Sequence, residues 1–433
     1  MSKNRHNWGH RNVWTPCEIY HPESLEELRS VIQTAAKKHS KIRPIGSLHS
    51  SNSLCATEGV NIDTTHLNRV LKIDKENSTV KVEGGIKIRT LLKKLALEGL
   101  TLPNQAYIQE QTIAGAIATA THGSTGHAST YSSFVVEIEL IDAEGNIHNL
   151  TPDKDRHVFS GAVVNLGCLG VIYSLTLKCI PLKRLLLNKK KTTYPTISYQ
   201  IQDYLKSNES FQISKDPYSE ELIAWFYQKT EEEVSSQTVY QVKRNLIKLS
   251  AWFFFDIAYP PYWLMPYVSK MYLWLSPIRN CVNYSHLILS PEDEGHYIEE
   301  EIAVPFEHFE TALAITQTLI KRFGDQKLRP TLTVIIRFVE PEPYGYLSPA
   351  KDKQTVYITM ISCAIKGYEK LFHEWEEAMF PLQGRPHWGK IHTLNKEKVF
   401  ALYGENFTKF LEVKQSLDPK SVFSNPFIDN IFY

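Results

Sequence analysis

Along the first hundred residues the apolar positions switch between two periods. Behind Pro22, Leu25, Leu28, Val31, Ile32, Ala35 and Ala36 recur at helical spacing, with Ser24 and Glu27 in a capping-box pattern, so a helix is predicted over 23–40. KIRPIG follows as a strand end, Ile42 and Ile45 flanking a proline, and opens into the polar loop GSLHSSN. From 60 to 84 short β-patterned runs alternate with turns: VNID, VLKID, the polar turn KENS, then TVKVEGG. A second helix is predicted from Ile88 to Glu98, with Gly99 as its cap. The stretch QTIAGAIATATHGSTG at 111–126 is built almost wholly from small residues and Thr, which lets a bulky group lie against backbone. Two strand patterns close this half: FVVEIELIDAEGNIHNL, with a turn at 144–146, and LGCLGVIYSLTLKCIP, ending at Pro181. Strands, helices and hairpins mix without a regular βαβ series, so the expected fold class is α+β.

Beyond Pro181 the segments become longer and richer in aromatics, and the domain boundary is placed there, giving units 1–182 and 183–433. IEEEIAVPFEHFETALAITQTLIKRFG reads as a strand followed by an amphipathic helix, and LTVIIRFVE and TVYITMISC read as strands. The piece SAWFFFDIAYPPYWLMPYVSKMYLWLS, 250–276, is the most apolar in the chain, but Asp256, Lys270 and three prolines interrupt it. A spanning helix needs about 20 largely uncharged residues. Two readings of it stand: an aromatic-rich core or domain-interface segment, and a surface that dips into a membrane interface.

Composition narrows the classes. At 433 residues the chain exceeds one ordinary core, and two packed units are expected. Lys plus Arg number 48 against 47 Asp plus Glu, so the basic excess that anchors a protein to phosphate backbones is missing and nucleic acid is not an expected partner. The cysteines at 17, 55, 168, 179, 281 and 363 form neither a CxxC pair nor a close Cys/His cluster. That spacing argues against a zinc site or a disulfide framework and fits a reducing compartment. The polar, basic start MSKNRHNWGHRN has no apolar run behind it, and the chain is read as cytoplasmic.

Two elements carry candidate chemistry. Gly46-Ser47-Leu48-His49-Ser50-Ser51-Asn52 lies directly after a strand, where converging backbone N–H groups and Ser hydroxyls suit an anion such as a diphosphate. The small-residue run ending Thr121-His122-Gly123-Ser124 offers more donors and close backbone approach. Either loop alone also reads as an ordinary polar surface turn. The chain has no GxGxxG after its first strand and no GxxxxGK[ST], so neither a Rossmann site nor a P-loop is supported.

In order along the chain, PIGSLHSS, VEGG, the 111–126 run and LGCLGVI resemble the FAD-binding (PCMH-type) domain of the vanillyl-alcohol oxidase superfamily. EIAVP at 301–305, IRFVEPEPYGYLSP at 336–349, GRPHWGKIH at 384–392 and the ending LDPKSVFSNPFIDNIFY resemble the sugar-1,4-lactone oxidases within it. The resemblance implies a two-domain flavoprotein whose second, cap-like unit combines a mixed sheet with helices, the tail at about 415–433 returning to the FAD domain. It implies FAD as cofactor, a sugar lactone or polyol as substrate and molecular oxygen as acceptor. His49 matches the histidine bonded to the flavin's benzene-edge methyl group. Gly46, Ser47, Leu48, Ser50, Gly115, Thr121, His122, Gly123 and Ile172 match positions lining the diphosphate, ribityl chain and adenine. Arg337 and Lys390 match active-site cations, and His387 is expected to share with Lys390 the removal of the hydroxyl proton. No metal is implied. In one departure, Ile335 stands where related enzymes carry the glutamate of Glu-x-Arg, so Glu301 or Glu340 is expected to supply the acid, or the substrate preference differs. Ala106 matches the position that gates oxygen, where alanine occurs in oxidases and dehydrogenases alike. A dehydrogenase of the same fold that passes electrons to another acceptor, an alditol oxidase acting on open-chain polyols and a flavin-binding protein without catalysis remain the rival readings.

Overall fold

The computed structural model describes residues 4–38, 40–235, 249, 260–275, 280–290, 297–362 and 366–433. Residues 250–259 and 276 of the aromatic-rich stretch lie outside that set.

The first helix runs from Leu25 to Lys37; Ser24 Oγ accepts the Glu27 N–H, and Leu28, Ile32 and Ala35 are buried. That face packs on a small parallel sheet in which Val60–Asp63 lies between Glu18–Tyr20 and Ile42–Ile45. A five-stranded antiparallel sheet follows, in the order Ile147–Leu150, Val135–Ile141, Val171–Lys178, Thr79–Glu83, Val70–Asp74. The expected helix after Gly85 spans Ile88–Leu97, and Gly99, at φ +73°, takes the left-handed turn beyond it.

From Arg184 the chain builds an eight-stranded sheet, antiparallel throughout. Its centre is Ser210–Lys215, Thr331–Val339, Thr355–Ser362 and Ile298–Pro305, in that spatial order. Period-two alternation splits these strands between two faces. Val334, Ile336, Phe338, Val356, Ile358, Met360, Ile302 and Val304 join the core beneath the helices Phe309–Asp325 and Tyr368–Met379. The intervening residues, Arg337, Tyr357, Thr359, Glu299 and Glu301 among them, belong to the opposite face, and that face carries the site.

After Pro386 the chain leaves this sheet. Trp388, Leu394, Val399, Tyr403, Phe407, Phe410, Val413, Leu417, Ile428 and Phe432 pack into one core with residues of the first half such as Ile113, Ile117, Phe159 and Leu169. Among the described residues no helix is long and apolar enough to cross a membrane. The helix Met265–Leu275 buries Met265 and Val268 against Leu332 and Ile361, while Trp263 just before it, Tyr267 and Trp274 are 58%, 69% and 75% exposed.

Candidate active site

The loop at Gly46 leaves the carboxyl end of the parallel strand Ile42–Ile45, a position where open parallel sheets bind ligands. A Cβ on Gly46 would lie 2.1 Å from Thr112 Oγ1, so only glycine lets the two loops close. Leu48 sits in the left-handed region at φ +59°. An N-terminal hairpin, Arg5–His6 paired antiparallel with Val13–Trp14, holds it there: Trp8 N donates to Leu48 O at 2.8 Å, Asn7 Nδ2 to Ser50 O at 3.0 Å and Asn12 Nδ2 to Ser51 O at 2.8 Å. The Trp8 ring stacks on the His49 imidazole with centroids 5.4 Å apart.

Beneath this loop runs a groove, partly open to solvent, with about 890 Å³ of space between its walls. Of the residues expected to hold cofactor, Gly46, Ser47, Leu48, His49, Ser50, Gly115 and Ile172 line it. Arg43, Thr112, Asn165 and Gly167 line it too and had not been singled out. Arg43 is fully buried, donating to the carbonyls of Leu54, Leu166 and Gly167 at 2.6–2.9 Å; an arginine between two isoleucines of a short strand was the overlooked signal. His49 Nδ1 and Ser47 Oγ are buried without a hydrogen-bond partner among the described residues. Burial, reinforced by the Lys390 charge, lowers the His49 pKa to about 4 and keeps the ring neutral.

A second, smaller pocket of about 380 Å³ shares Gln111, His387 and Lys390 with the groove. Thr121 and His122, expected along the cofactor, line this pocket instead. Gly123 lines neither; it packs so tightly on Asn104 and Gln105 that an added Cβ would lie 2.1 Å from Asn104 Oδ1. Arg337 and Lys390 meet here, one from the central strand and one from the HWGK loop.

The acid missing at position 335 is supplied across the sheet. Ile335 and Glu301 both pair with Thr359, from opposite sides, so the three occupy one row. Glu301 Oε1 accepts from Thr359 Oγ1 at 2.7 Å and from Arg337 Nη1 at 3.5 Å, and faces His122 Nε2 at 3.4 Å. Burial opposes its ionisation, but His122, His387 and Arg337 outweigh that and hold its carboxyl well below the ordinary range. Glu340 turns elsewhere and accepts from Gln354 Nε2. Ile335 packs toward Met265 and Val268. Glu299, two residues before Glu301 and so on the same face, takes the Lys390 ammonium. Arg337 also lies 5.5 Å from the Tyr107 ring centroid.

His387 is buried, and burial depresses its pKa to about 3 against the opposing pull of Glu301. Its Nδ1 accepts the Gly389 N–H at 3.0 Å, so in the neutral ring the proton resides on Nε2. It is therefore a donor toward the pocket, not the proton acceptor that its place beside Lys390 suggested.

A nucleotide-sized groove opening onto a pocket of cations and carboxylates, in this α+β architecture, defines an FAD-dependent oxidoreductase of the vanillyl-alcohol oxidase type. The fold likeness agrees: a cholesterol oxidase from B. sterolicum superposes with a TM-score of 0.84, covering 100% of this chain and 97% of that one at 15% identity. Residues 16–151 match the family described as an FAD binding domain. Residues 175–431 match the D-arabinono-1,4-lactone oxidase family, and the chain belongs to it. Mouse L-gulonolactone oxidase is 28% identical over 439 residues, covering 99% of this chain and 98% of its own. L-gulono-1,4-lactone dehydrogenase of Mycobacterium tuberculosis is 30% identical over 430 residues, 97% of each chain.

Proposed function

We propose that the protein oxidises a sugar-1,4-lactone at the hydroxyl-bearing carbon next to the lactone carbonyl, with FAD bonded to His49 and oxygen reduced to hydrogen peroxide. The observation that carries this is the junction of groove and pocket at Gln111, His387 and Lys390, with His49 in one and Arg337, Lys390 and Glu301 in the other. The groove residues suit the cofactor: Gly46 allows close approach, and the buried His49 Nδ1 and Ser47 Oγ are unpaired polar atoms facing that region.

Bound FAD supplies a two-electron acceptor. The pocket's own residues do the rest. Arg337 and Lys390, each with 12% of the side chain exposed, set fixed positive charge where negative charge develops on the substrate oxygen. His387 Nε2–H donates to a lactone oxygen. Thr359 and Arg337 both donate to Glu301 Oε1 and hold it in place. With the boundary near 182/183 and 415–433 counted with the FAD unit, the groove is lined mainly by the first unit with His387, Gly389 and Lys390 from the second, and the pocket is lined by six residues of each.

Anaerobic mixing with gulono-, galactono- and arabinono-1,4-lactones, xylitol and sorbitol tests the substrate class: lactones are expected to bleach the flavin, and bleaching by polyols alone refutes the lactone reading. Flavin should stay with the chain after acid precipitation of the wild type and be released from His49→Ala; release from the wild type refutes the covalent link. A dehydrogenase is the second reading, favoured by the mycobacterial relative. Peroxide yield per lactone oxidised separates the two. The exposed Trp263, Tyr267 and Trp274 support peripheral membrane contact as a further part of the proposal.

A further inference from the structure

Residues 299–301 are three consecutive glutamates, and the period-two alternation of their strand turns the middle one away from its neighbours. Glu299 and Glu301 meet Lys390 and Arg337 in the pocket. Glu300 pairs in register with Met360 and lies with it on the helix-covered face, 1% exposed. There its carboxyl is in hydrogen-bond contact with that of Glu376, a 5% exposed residue of the helix Tyr368–Met379. Two touching carboxyls out of water hold one negative charge between them, not two. Glu376 is the anion: its Oε2 accepts the Thr393 N–H and its Oε1 the Thr393 hydroxyl, each at 2.7 Å, with Lys398 Nζ 3.6 Å away. Glu300 Oε2 has no hydrogen-bond partner among the described residues, so the shared proton belongs to Glu300. Burial and the Glu376 charge hold its carboxyl well above the ordinary range.

Thr393 ends the loop that carries His387 and Lys390, and the strand grips that loop on both faces. In front, the His387 N–H donates to Glu301 O at 2.8 Å and the Lys390 ammonium meets Glu299. Behind, Glu376 holds Thr393. We propose that Glu300, in its protonated form, is a positioning residue of the oxidation: by donating to Glu376 it fixes Thr393, and through the loop it fixes Lys390 over the reacting oxygen. This rests on the lactone-oxidation reading. The proton stays between the two carboxyls and takes no part in turnover.

The surroundings supply no second cation for Glu300. Among the described residues, the charged or titratable groups around the pair are His373 and Glu377 on the helix of Glu376, Lys398 on the helix Lys396–Tyr403 and His392 in the loop. Glu299 and Glu301, on the strand itself, serve the other face. Lys398 is already divided, 2.5 Å from Glu377 Oε1 and 3.0 Å from Thr393 Oγ1 as well as facing Glu376. Loss of surrounding water lowers the His392 pKa to about 4 and keeps that ring neutral. An ionised Glu300 would therefore push directly against the carboxylate that holds the loop.

The test compares flavin-loaded wild type, Glu300→Gln and Glu300→Ala, the last also combined with Lys390→Met. Urea unfolding between pH 5 and 6.5 reads the proton: the folded wild type keeps one at Glu300 that the unfolded chain has already lost, so its unfolding should release about one proton more than that of Glu300→Gln. Anaerobic flavin reduction by gulono-1,4-lactone reads the positioning. Glu300→Gln, whose amide gives Glu376 the same donor without ionising, should reduce within about threefold of wild type, while Glu300→Ala should lower the limiting rate about 10–100-fold with little change in half-saturation. Because the effect passes through Lys390, Glu300→Ala should slow the Lys390→Met protein by no more than about threefold. Equal proton release by wild type and Glu300→Gln overturns the proposal, and so does a Glu300→Gln protein as slow as Glu300→Ala, since either result makes Glu300 an anion. A full rate in Glu300→Ala, or a full loss on top of Lys390→Met, overturns the positioning role. If Glu300→Ala fails to fold, Thr393→Val, which removes only the hydroxyl donor, takes its place in the cycle with the same expectation. A wild type that binds flavin but is bleached by no lactone refutes the oxidation reading and this role together; normal bleaching of wild type with an undiminished rate in Glu300→Ala refutes the inference alone.

Discussion

At the scale of single residues, the site is a balance of two cations against two carboxylates. Lys390 with Glu299, and Arg337 with Glu301, each pair across different segments, with every one of the four side chains 12% exposed or less. Lys390→Met removes one cation and leaves Glu299, only 8% exposed, without its partner. The expected result is flavin reduction slowed by about 10²–10³-fold with a lower melting temperature, read by anaerobic stopped flow and calorimetry. An unchanged reduction rate counts against the electrostatic role. Arg337 and Lys390 were legible in the chain because their flanking strings, IRFVEPEP and HWGK, are distinctive. Which carboxylate meets Arg337 was left open between Glu301 and Glu340, because that choice depends on strand register, and register is a long-range property.

At the scale of elements, the last helix works as a bolt for the flavin loop. Asn425 caps Pro426–Phe432 by accepting the Ile428 N–H at 2.8 Å. Its amide donates to the carbonyls of Ser53, Leu54 and Ala56, just past the His49 loop. Asn425→Ala should cost about 1–2 kcal/mol for the cap, and more for the Ala56 carbonyl that loses its donor, while Ser53 O keeps the Ala56 N–H and Leu54 O keeps Arg43 Nε. Asn425→Asp keeps the cap acceptor and loses the donors. Measured by thermal unfolding and by retention of flavin in a His49→Ala background, Asn425→Asp should fall between wild type and Asn425→Ala in stability and match Asn425→Ala in flavin loss. Equal flavin retention in all three would argue against the bolt. The alternating strands were legible here: EEEIAVP and TVIIRFV each separate a helix-facing set from a pocket-facing set. Glu300, between Glu299 and Glu301, falls on the helix side, where burial and Glu376 push its carboxyl well above the ordinary range.

At the scale of the whole molecule, acid should loosen the fold before it damages the pocket's carboxylates. His387 is buried and His392 half-buried, and the loss of surrounding water lowers their pKa values to about 3 and about 4 from an ordinary 6.5. The unfolded chain therefore binds protons at these sites near pH 6.5 and the folded chain does not. Their stabilising contribution is complete above that pH and declines as pH falls toward 4, at about 1.4 kcal/mol per pH unit for each histidine. Denaturant titrations between pH 7 and 4 should show this slope, and His392→Asn should reduce it by one proton; an unchanged slope refutes the assignment. The exposed Trp263 and Trp274 predict that wild type sediments with phospholipid vesicles and that the Trp263→Ala, Trp274→Ala double variant does so several-fold less. Equal sedimentation would assign those rings another role.

The sequence by itself determined the α+β class, most strand and helix positions, the glycine-led loop at His49 and membership of a flavin-binding family, because periodicity, caps and contiguous motifs are local. It also carried Arg337 and Lys390 to the site. Tertiary structure alone decided the rest: that His122 leaves the cofactor groove for the substrate pocket, that Glu301 reaches Arg337 across Thr359, that His387 points an N–H and not a lone pair inward, and that residues after Trp388 complete the core of the first half. Each of these joins segments 36 or more residues apart or fixes a ring nitrogen through its neighbour's hydrogen bond. Such contacts are set by packing and register, which no local pattern encodes.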